Sequence, residues 1–421
     1  MRNDPGRLRF EITARDGAAR TGRLLTSHGE VATPAFVPLA TRGAVRSLAL
    51  AEVAGLGYEL ILGNTFHLFL SPGAERIAER GGLHRFMGWP RALITDSGGF
   101  QVFSLAHGTV ADEIKGRRGS SGAEGGVLEI AERGVRFRSY LDGSERLMGP
   151  EESMAMQAAL GSDIALAFDE CTPYHADRDY TARSTERTHR WLRRCIDWHA
   201  DHGPAAQAVF GIVQGGTHED LRRESAGAVA AEAVDGIAIG GTLGRDKPQM
   251  YGVLAFTAPL LPVDAPKHLL GIGEPDDLLA GIELGIDLFD CAVPTRLARH
   301  GTALANLPAA RFRFDLDRSQ FADDDGPLVE DCPCATCRDH SRAYLHYLVR
   351  AEQPTAARLL TVHNLSFLER LAAGARTAIA AESFAGYKQA VLAGSTPWAA
   401  ATEYASGRSP RSRESDPSGS A

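Results

Sequence analysis

Two possible nucleophiles stand side by side at Asp290 and Cys291, within the stretch GIDLFDCAVPTR that spans residues 285–296. Other polar residues with chemical potential close apolar runs elsewhere: Asp96, Asp169, Gln214 and the pair Gly240–Gly241. A carboxylate accepts two hydrogen bonds, which matches the adjacent N–H donors on a guanine-like edge. A glutamine amide and a bare glycine N–H can both donate to a carbonyl oxygen. Asp169, Gln214 and Gly241 together therefore suit a purine-like base that carries a carbonyl. Asp96 and Asp290 remain as a carboxylate pair. Such a pair suits cleavage of a glycosidic bond, one member as nucleophile and the other as acid/base. Each aspartate also has a plainer reading as the cap of the helix that follows its strand. Five positions at equivalent strand ends argue for a shared site.

A second constellation is CPCATC, which supplies Cys332, Cys334 and Cys337, followed by His363 in TVHNL. Three thiolates and one imidazole close a tetrahedral zinc shell and leave no open position, so the spacing predicts a structural Zn2+. The plainer reading is three buried thiols and an unrelated histidine. A catalytic zinc in a barrel hydrolase would call for histidines at HxH spacing. None of the fourteen histidines forms such a pair.

The elements that must carry these residues are legible as short apolar runs, most ending in glycine or a polar residue. They are VATPAFVPLA (31–40), LILGN (60–64), ALITDSGG (92–99), DIALAFDE (163–170), AVFGIVQGG (208–216), GIAIGG (236–241), HLLGIGE (268–274) and IDLFDC (286–291). Near-continuous apolar runs mark strands buried on both faces, as in a parallel sheet. Helical patterns separate most of them. In EPDDLLAGIELG, Pro275 suits a first helical turn, and Asp276 and Asp277 complement the positive end of the helix dipole. Eight strand–helix repeats predict an α/β fold, a closed (β/α)8 barrel with active-site residues at its C-terminal face. An open doubly wound sheet is the alternative.

The barrel is expected over residues 8–310. AHGTVADEIKGRRGSSGAEGG (106–126) reads as an inserted solvated loop. Residues 311–400 hold the cysteine cluster and helical patterns, and read as a zinc-binding subdomain packed on the barrel. The tail at 405–421 has almost no apolar residues and is expected to be disordered.

The chain has 421 residues, 44% of them hydrophobic, enough for a large core. Its net charge of −8 advertises no polyanion partner, so any nucleic-acid site must be a local basic patch, to which Arg296, Arg299, Arg311 and Arg313 could contribute. The N-terminus MRNDPGRLRF lacks a signal-peptide apolar region, and no run reaches membrane-spanning length. A soluble cytoplasmic protein with no membrane partner is expected.

The motifs NTFHL (64–68), DSGGFQVFSL (96–105), FDECTPY (168–174), GIVQGG (211–216), GIGEPDD (271–277), FDCAVPTR (289–296) and CxCxxC…His, in this order from about residue 8 to about 390, resemble bacterial tRNA-guanine transglycosylase. The resemblance implies a (β/α)8 barrel with a zinc subdomain, usually a homodimer. It implies an enzyme that exchanges guanine at the wobble position of the tRNA anticodon loop for a 7-deazaguanine, in queuosine biosynthesis. Asp290 matches the family's nucleophile and Asp96 its acid/base carboxylate. Asp169, Gln214 and Gly241 match base-recognition positions, and Cys171 lies beside the base. Arg296 and Arg299 match positions near the anticodon loop, and Cys332, Cys334, Cys337 and His363 match the zinc ligands. The chain departs from the pattern after the glycines. It reads GGTLGRD where the family has GGLSVGE or GGLAVGE, one residue shorter and without the acidic residue at the expected place. The resemblance therefore does not fix the 7-substituent. Competing readings are a base-exchange enzyme acting on DNA or another tRNA position, and a non-catalytic tRNA-binding subunit of the same fold. Such a subunit would tend to lose the carboxylates that this chain keeps.

An oxocarbenium-like transition state favours a carboxylate over the thiol at 290–291. Neighbouring strand residues point to opposite faces. If Asp290 faces substrate, Cys291 should face the packing and behave as a small buried hydrophobe.

Overall fold

The eight apolar runs form eight parallel strands that close on themselves, as seen in a computed structural model that describes residues 7–106, 127–241 and 243–405. In chain order they are β1 (Ala35–Ala40), β2 (Leu60–Gly63), β3 (Ala92–Thr95), β4 (Ile164–Leu166), β5 (Ala208–Val213), β6 (Gly236–Ile239), β7 (Lys267–Leu269) and β8 (Leu288–Cys291). Sequential strands pair, and β8 returns to β1 with Asp290 beside Val37. The open-sheet alternative is thereby excluded.

Period-two alternation sorts the side chains. Val37, Leu60, Leu62, Ala92, Ile94, Ile164, Leu166, Phe210, Ile212, Ala238 and Leu288 form one buried cluster, the barrel interior. Phe36, Ile61, Leu93, Val209, Ile237, Leu269, Phe289 and Cys291 belong to a second cluster, between the strands and the surrounding helices. The interior is thus a packed core and not a pore. Truncating a fully buried ring such as Phe210 to alanine would cost about 3–5 kcal/mol.

Two antiparallel sheets, each of three strands, are additions that the run pattern does not announce. One is N-terminal (Arg9–Asp16, Ala19–Thr26, Gly29–Thr33), and its Leu24 and Val31 join the interior cluster. Arg20 anchors it: Nε and Nη2 meet Asp287 at 2.9 and 2.5 Å, both side chains fully buried, while Asp287 also accepts from the Lys267 amide at 2.7 Å. This clamp lies three residues before Asp290 and holds β8 in register. The other sheet (Val127–Ala131, Gly134–Arg138, Glu145–Met148) lies between β3 and β4 in the chain. It follows the segment read as an inserted loop, of which residues 107–126 lie outside the described residues. Residues 406–421 of the tail do too.

The cysteine cluster surrounds the short helix Ala335–Asp339, and His363 projects from the 27-residue helix Pro354–Ala380. That long helix packs on β1 and on the helix Val293–Arg299 that leaves β8. The Cys3His cluster and the barrel wall therefore share one structural member.

Candidate active site at the barrel mouth

Parity along each strand decides what reaches the mouth. In β8, Leu288 points inward, Phe289 outward, Asp290 inward and Cys291 outward. Asp290 is the penultimate residue of the strand, two residues before the position just past its end. Its Oδ1 accepts the Gly271 N–H at 3.2 Å and lies 2.9 Å from His268 Nε2, an approach angled off an ideal hydrogen bond. Among the described residues Oδ2 accepts no hydrogen bond. Cys291 packs against Phe36 and Gly273, and burial raises its thiol well above the ordinary range. It is not poised as a thiolate nucleophile.

Asp96 follows β3 and is partly exposed at the rim. Its Oδ1 accepts the amides of Thr65 at 2.9 Å and Gly98 at 3.2 Å, and its Oδ2 accepts Asn64 Nδ2. The Thr65 contact lies at the start of the helix Thr65–Leu70, which follows β2 and is N-capped by Asn64, so Asp96 braces a neighbouring helix and does not cap the one that follows its own strand. Desolvation outweighs these donors. Burial, with Asp290's charge as an additional cause, pushes the Asp96 carboxyl up to about 7. The two carboxylates therefore sense each other, and one of them is poised to exchange a proton near neutrality.

Asp169, three residues beyond β4, is buried. Gln214 Nε2 donates to its Oδ2 at 2.6 Å and Ser97 Oγ to its Oδ1 at 3.0 Å. Burial raises this carboxyl to about 6. Gln214 Oε1 is buried without a hydrogen-bond partner among the described residues. It lies against Gly241, where φ is +78° and an added Cβ would collide with that same oxygen. Glycine is required there on both counts. Gly99 is as tightly placed, since a Cβ would come within 2.6 Å of Asp169 O. Cys171 sits nearby with its thiol pushed up to about 12 by burial, and the Asp169 charge adds to the rise.

The arrangement sets acceptor, donor and glycine backbone side by side, next to a facing carboxylate pair. Three residues that build it are not singled out by the sequence. Asn64, within the NTFHL motif, bonds Asp96. His268 is fully buried in β7 and touches Asp290. Arg222 is fully buried and donates to Gly216 O at 2.8 Å, Val213 O at 3.1 Å and Gly240 O at 2.9 Å, which ties together the loops that carry Gln214 and Gly241. Strand parity could have flagged His268. Nothing local could have flagged Arg222, which lies on the helix Glu219–Ala231.

The departing loop after β6 places Leu243 inside and uses Asp246 as the N-cap of the helix Lys247–Thr257. Asp246 Oδ1 accepts the Gln249 amide at 3.0 Å, and its Oδ2 lies 3.3 Å from Arg245 Nε. Thr242 lies outside the described residues.

Arg296 and Arg299 lie on the helix after β8, with Arg299 exposed and Arg296 partly so. Arg311 and Arg313 are engaged instead by Glu274, at 2.8 and 3.5 Å.

The Cys332, Cys334, Cys337 and His363 side chains are buried together. His363 Nδ1 lies 3.8, 3.5 and 3.3 Å from the three sulfurs in that order. Ideal tetrahedral Zn–S and Zn–N bonds imply S···N separations of roughly 3.6 Å, so the donor set fits a four-coordinate metal ion. His363 Nε2 lies 2.8 Å from Leu304 O, which fixes the tautomer that leaves Nδ1 bare toward the sulfurs.

A parallel eight-stranded barrel with paired carboxylates at its C-terminal mouth and a buried Cys3His cluster defines a barrel enzyme with a metal-binding subdomain. The profile of the family described as queuine tRNA-ribosyltransferase matches residues 16–396. A queuine tRNA-ribosyltransferase from Roseiflexus sp. (strain RS-1) is 48% identical over 389 residues, 90% of this chain and 97% of the relative. One from Nitratidesulfovibrio vulgaris (strain DP4) is 48% identical over 381 residues, 90% and 95% of the two chains. The chain belongs to the queuine tRNA-ribosyltransferase family.

Proposed function

We propose that this protein is a tRNA-guanine transglycosylase that replaces guanine at the wobble position with a 7-deazaguanine through a covalent Asp290–ribose ester, in queuosine biosynthesis. The observation that carries the reading is the convergence, at one barrel mouth, of the Asp96–Asp290 pair with the Asp169–Gln214–Gly241 group. Family membership supports it independently.

The target nucleotide leaves its loop and enters the mouth. Asp169 takes the N–H donors of the guanine edge, while Gln214 and the Gly241 amide serve its carbonyl. Cys171 lines the pocket as a thiol. The free Oδ2 of Asp290 attacks the anomeric carbon. The glycosidic C–N bond breaks, its electron pair goes to the base nitrogen, and Asp96 supplies the proton. The incoming base returns that proton to Asp96. Its nitrogen then displaces Asp290, and the ester bond breaks. One pocket serves both bases, so the order is ping-pong.

Cys332, Cys334, Cys337 and His363 would hold a Zn2+ that supplies no chemistry to this reaction. Arg296 and Arg299 are assigned to the anticodon loop. The homodimer reading is supported by an exposed aromatic surface on the helix Arg342–Arg350, where Tyr344 and Tyr347 are open to solvent and His340 packs beside Tyr344. The absence of any helix long and apolar enough to cross a membrane, among the described residues, fits a cytoplasmic enzyme.

Exchange of labelled guanine into tRNA, compared with DNA and run with and without a 7-deazaguanine, tests the reading. Incorporation into tRNA alone, displaced by the 7-deazaguanine, is expected. Incorporation into DNA, or none at all, would overturn it.

A further inference from the structure

The rim next to the candidate site carries a group of residues that the proposed reaction does not use. Arg42 and Arg46 lie in the loop after β1, and both are exposed. They neighbour Arg296 and Arg299, because β8 and β1 pair. Their proximity has electrostatic signatures. Burial, then Arg46 and Arg296, hold the Arg299 guanidinium below the ordinary arginine range. Burial, then Arg42 and Arg46, push His67 down. Among the described residues none of these four arginines has a carboxylate partner, in a protein whose net charge is −8. Most other surface arginines here are paired, as Arg190 is with Glu132 and Arg193 with Glu232. Four guanidinium groups held together without counter-charge favour an anion.

Beside them stands Tyr140, in the turn that follows Gly134–Arg138. Its hydroxyl lies 2.9 Å from His67 Nδ1 and accepts from Arg42 Nη2 at 3.1 Å. Phe66 and His67 pack against the ring, at centroid separations of 6.2 and 6.0 Å. The rest stays open, and the residue is 46% exposed. Leu141 next to it is 51% exposed. His67, the partner of the Tyr140 hydroxyl, belongs to the helix whose first amide binds Asp96. An aromatic ring fixed at its hydroxyl end, with a free surface and guanidinium groups alongside, is a platform for an unpaired nucleobase and its phosphates.

We infer that Tyr140, Arg42 and Arg46 form an RNA subsite in which a base flanking the flipped guanosine stacks on Tyr140 while Arg42 and Arg46 hold its phosphates. The inference rests on the proposed function. It extends the RNA path from the β8 rim across β1 and β2. It also states a substrate requirement: the flanking nucleotide must be unpaired, as in a loop, since a base-paired one cannot offer its face.

The test uses the full-length enzyme and a minimal anticodon stem-loop RNA, with initial rates of guanine exchange measured over a range of salt. Tyr140→Ala should raise the KM for the RNA about tenfold or more, with the KM for guanine unchanged. Tyr140→Phe should lose much less than Tyr140→Ala, because stacking uses the ring while the hydroxyl only helps to fix its position. Arg42→Ala combined with Arg46→Ala should flatten the slope of log affinity against log salt by about 0.7 for each phosphate no longer neutralised. Equal defects in Tyr140→Phe and Tyr140→Ala would make the ring a mere prop for His67 and overturn the stacking assignment. An unchanged salt slope in the double variant would overturn the phosphate assignment. Wild-type enzyme that exchanges no guanine at all would instead remove the functional reading on which this one rests.

Discussion

Asp290 Oδ1 and His268 Nε2 lie 2.9 Å apart at the mouth of the barrel, the histidine fully buried and the aspartate almost so. Neither ring nitrogen of His268 makes a well-aligned hydrogen bond among the described residues, and Nε2 is the one that faces the carboxylate. The Gly271 amide bonds the same oxygen, and Oδ2 accepts no hydrogen bond among the described residues.

His268 should therefore act by aiming Asp290. Replacing it by phenylalanine should lower kcat by about tenfold to a hundredfold while leaving the KM for guanine within about twofold. His268→Gln, which keeps a donor, should recover part of the loss. Steady-state kinetics with both substrates separate these effects. A proportional rise in the guanine KM would point to a collapsed pocket instead.

Asp96 titrates at about 7 in the folded chain against an ordinary value near 4, so the native state binds this proton more tightly than the unfolded chain does. Linkage then has a definite sign: the stabilisation belongs to the protonated form and is lost as pH rises from about 4 through about 7. Asp96→Asn should match wild type in thermal stability at about pH 4. At about pH 8 it should be more stable by on the order of 1–2 kcal/mol, a figure reduced for the solvent that reaches the rim. Activity should be lost throughout. Melting curves at the two pH values check the sign.

Gly241→Ala should disable base recognition without unfolding the chain. The new Cβ strikes Gln214 Oε1, and the left-handed φ strains any other residue. Displacing Gln214 also strips Asp169 of its 2.6 Å donor. The KM for guanine should rise about tenfold or more, since buried hydrogen bonds to a charged partner are each worth about 1.5–3 kcal/mol. The melting temperature should fall by only a few degrees.

Removal of the metal should act through architecture. His363 is bound to Leu304 O, and the adjacent Asn364 holds Leu304 N, Pro294 O and Thr302 O. Pro294 lies in the first turn of the helix that carries Arg296 and Arg299. Chelation or Cys334→Ser should therefore lower the melting temperature and weaken RNA binding together. Turnover abolished with fold, assembly and RNA binding intact would contradict a structural metal.

The barrel is readable because its strands are buried on both faces. An eight-fold series of apolar runs survives in sequence, and strand parity tells that Asp290 and Cys291 face opposite ways, although not which of them faces inward. The Asp169–Gln214–Gly241 group is readable as hydrogen-bonding chemistry at strand ends. The supporting contacts are not. His268 meets Asp290 across two strands, and Arg222 reaches back from a helix to three carbonyls. Neither pairing leaves a periodic trace. The two antiparallel sheets also stay hidden, because half-exposed strands such as Val127–Ala131 lack a continuous buried face. Arg311 and Arg313 look like free cations until the fold sets Glu274 beside them.

In the proposed reaction the Asp290 carboxylate bonds to the ribose of the RNA. Wild-type enzyme mixed with tRNA and run on a denaturing gel should give a protein–RNA adduct that mass spectrometry maps to Asp290 and that added guanine releases. Asp290→Ala should form none. An adduct that persists in Asp290→Ala, or that maps to Cys291, would contradict the account.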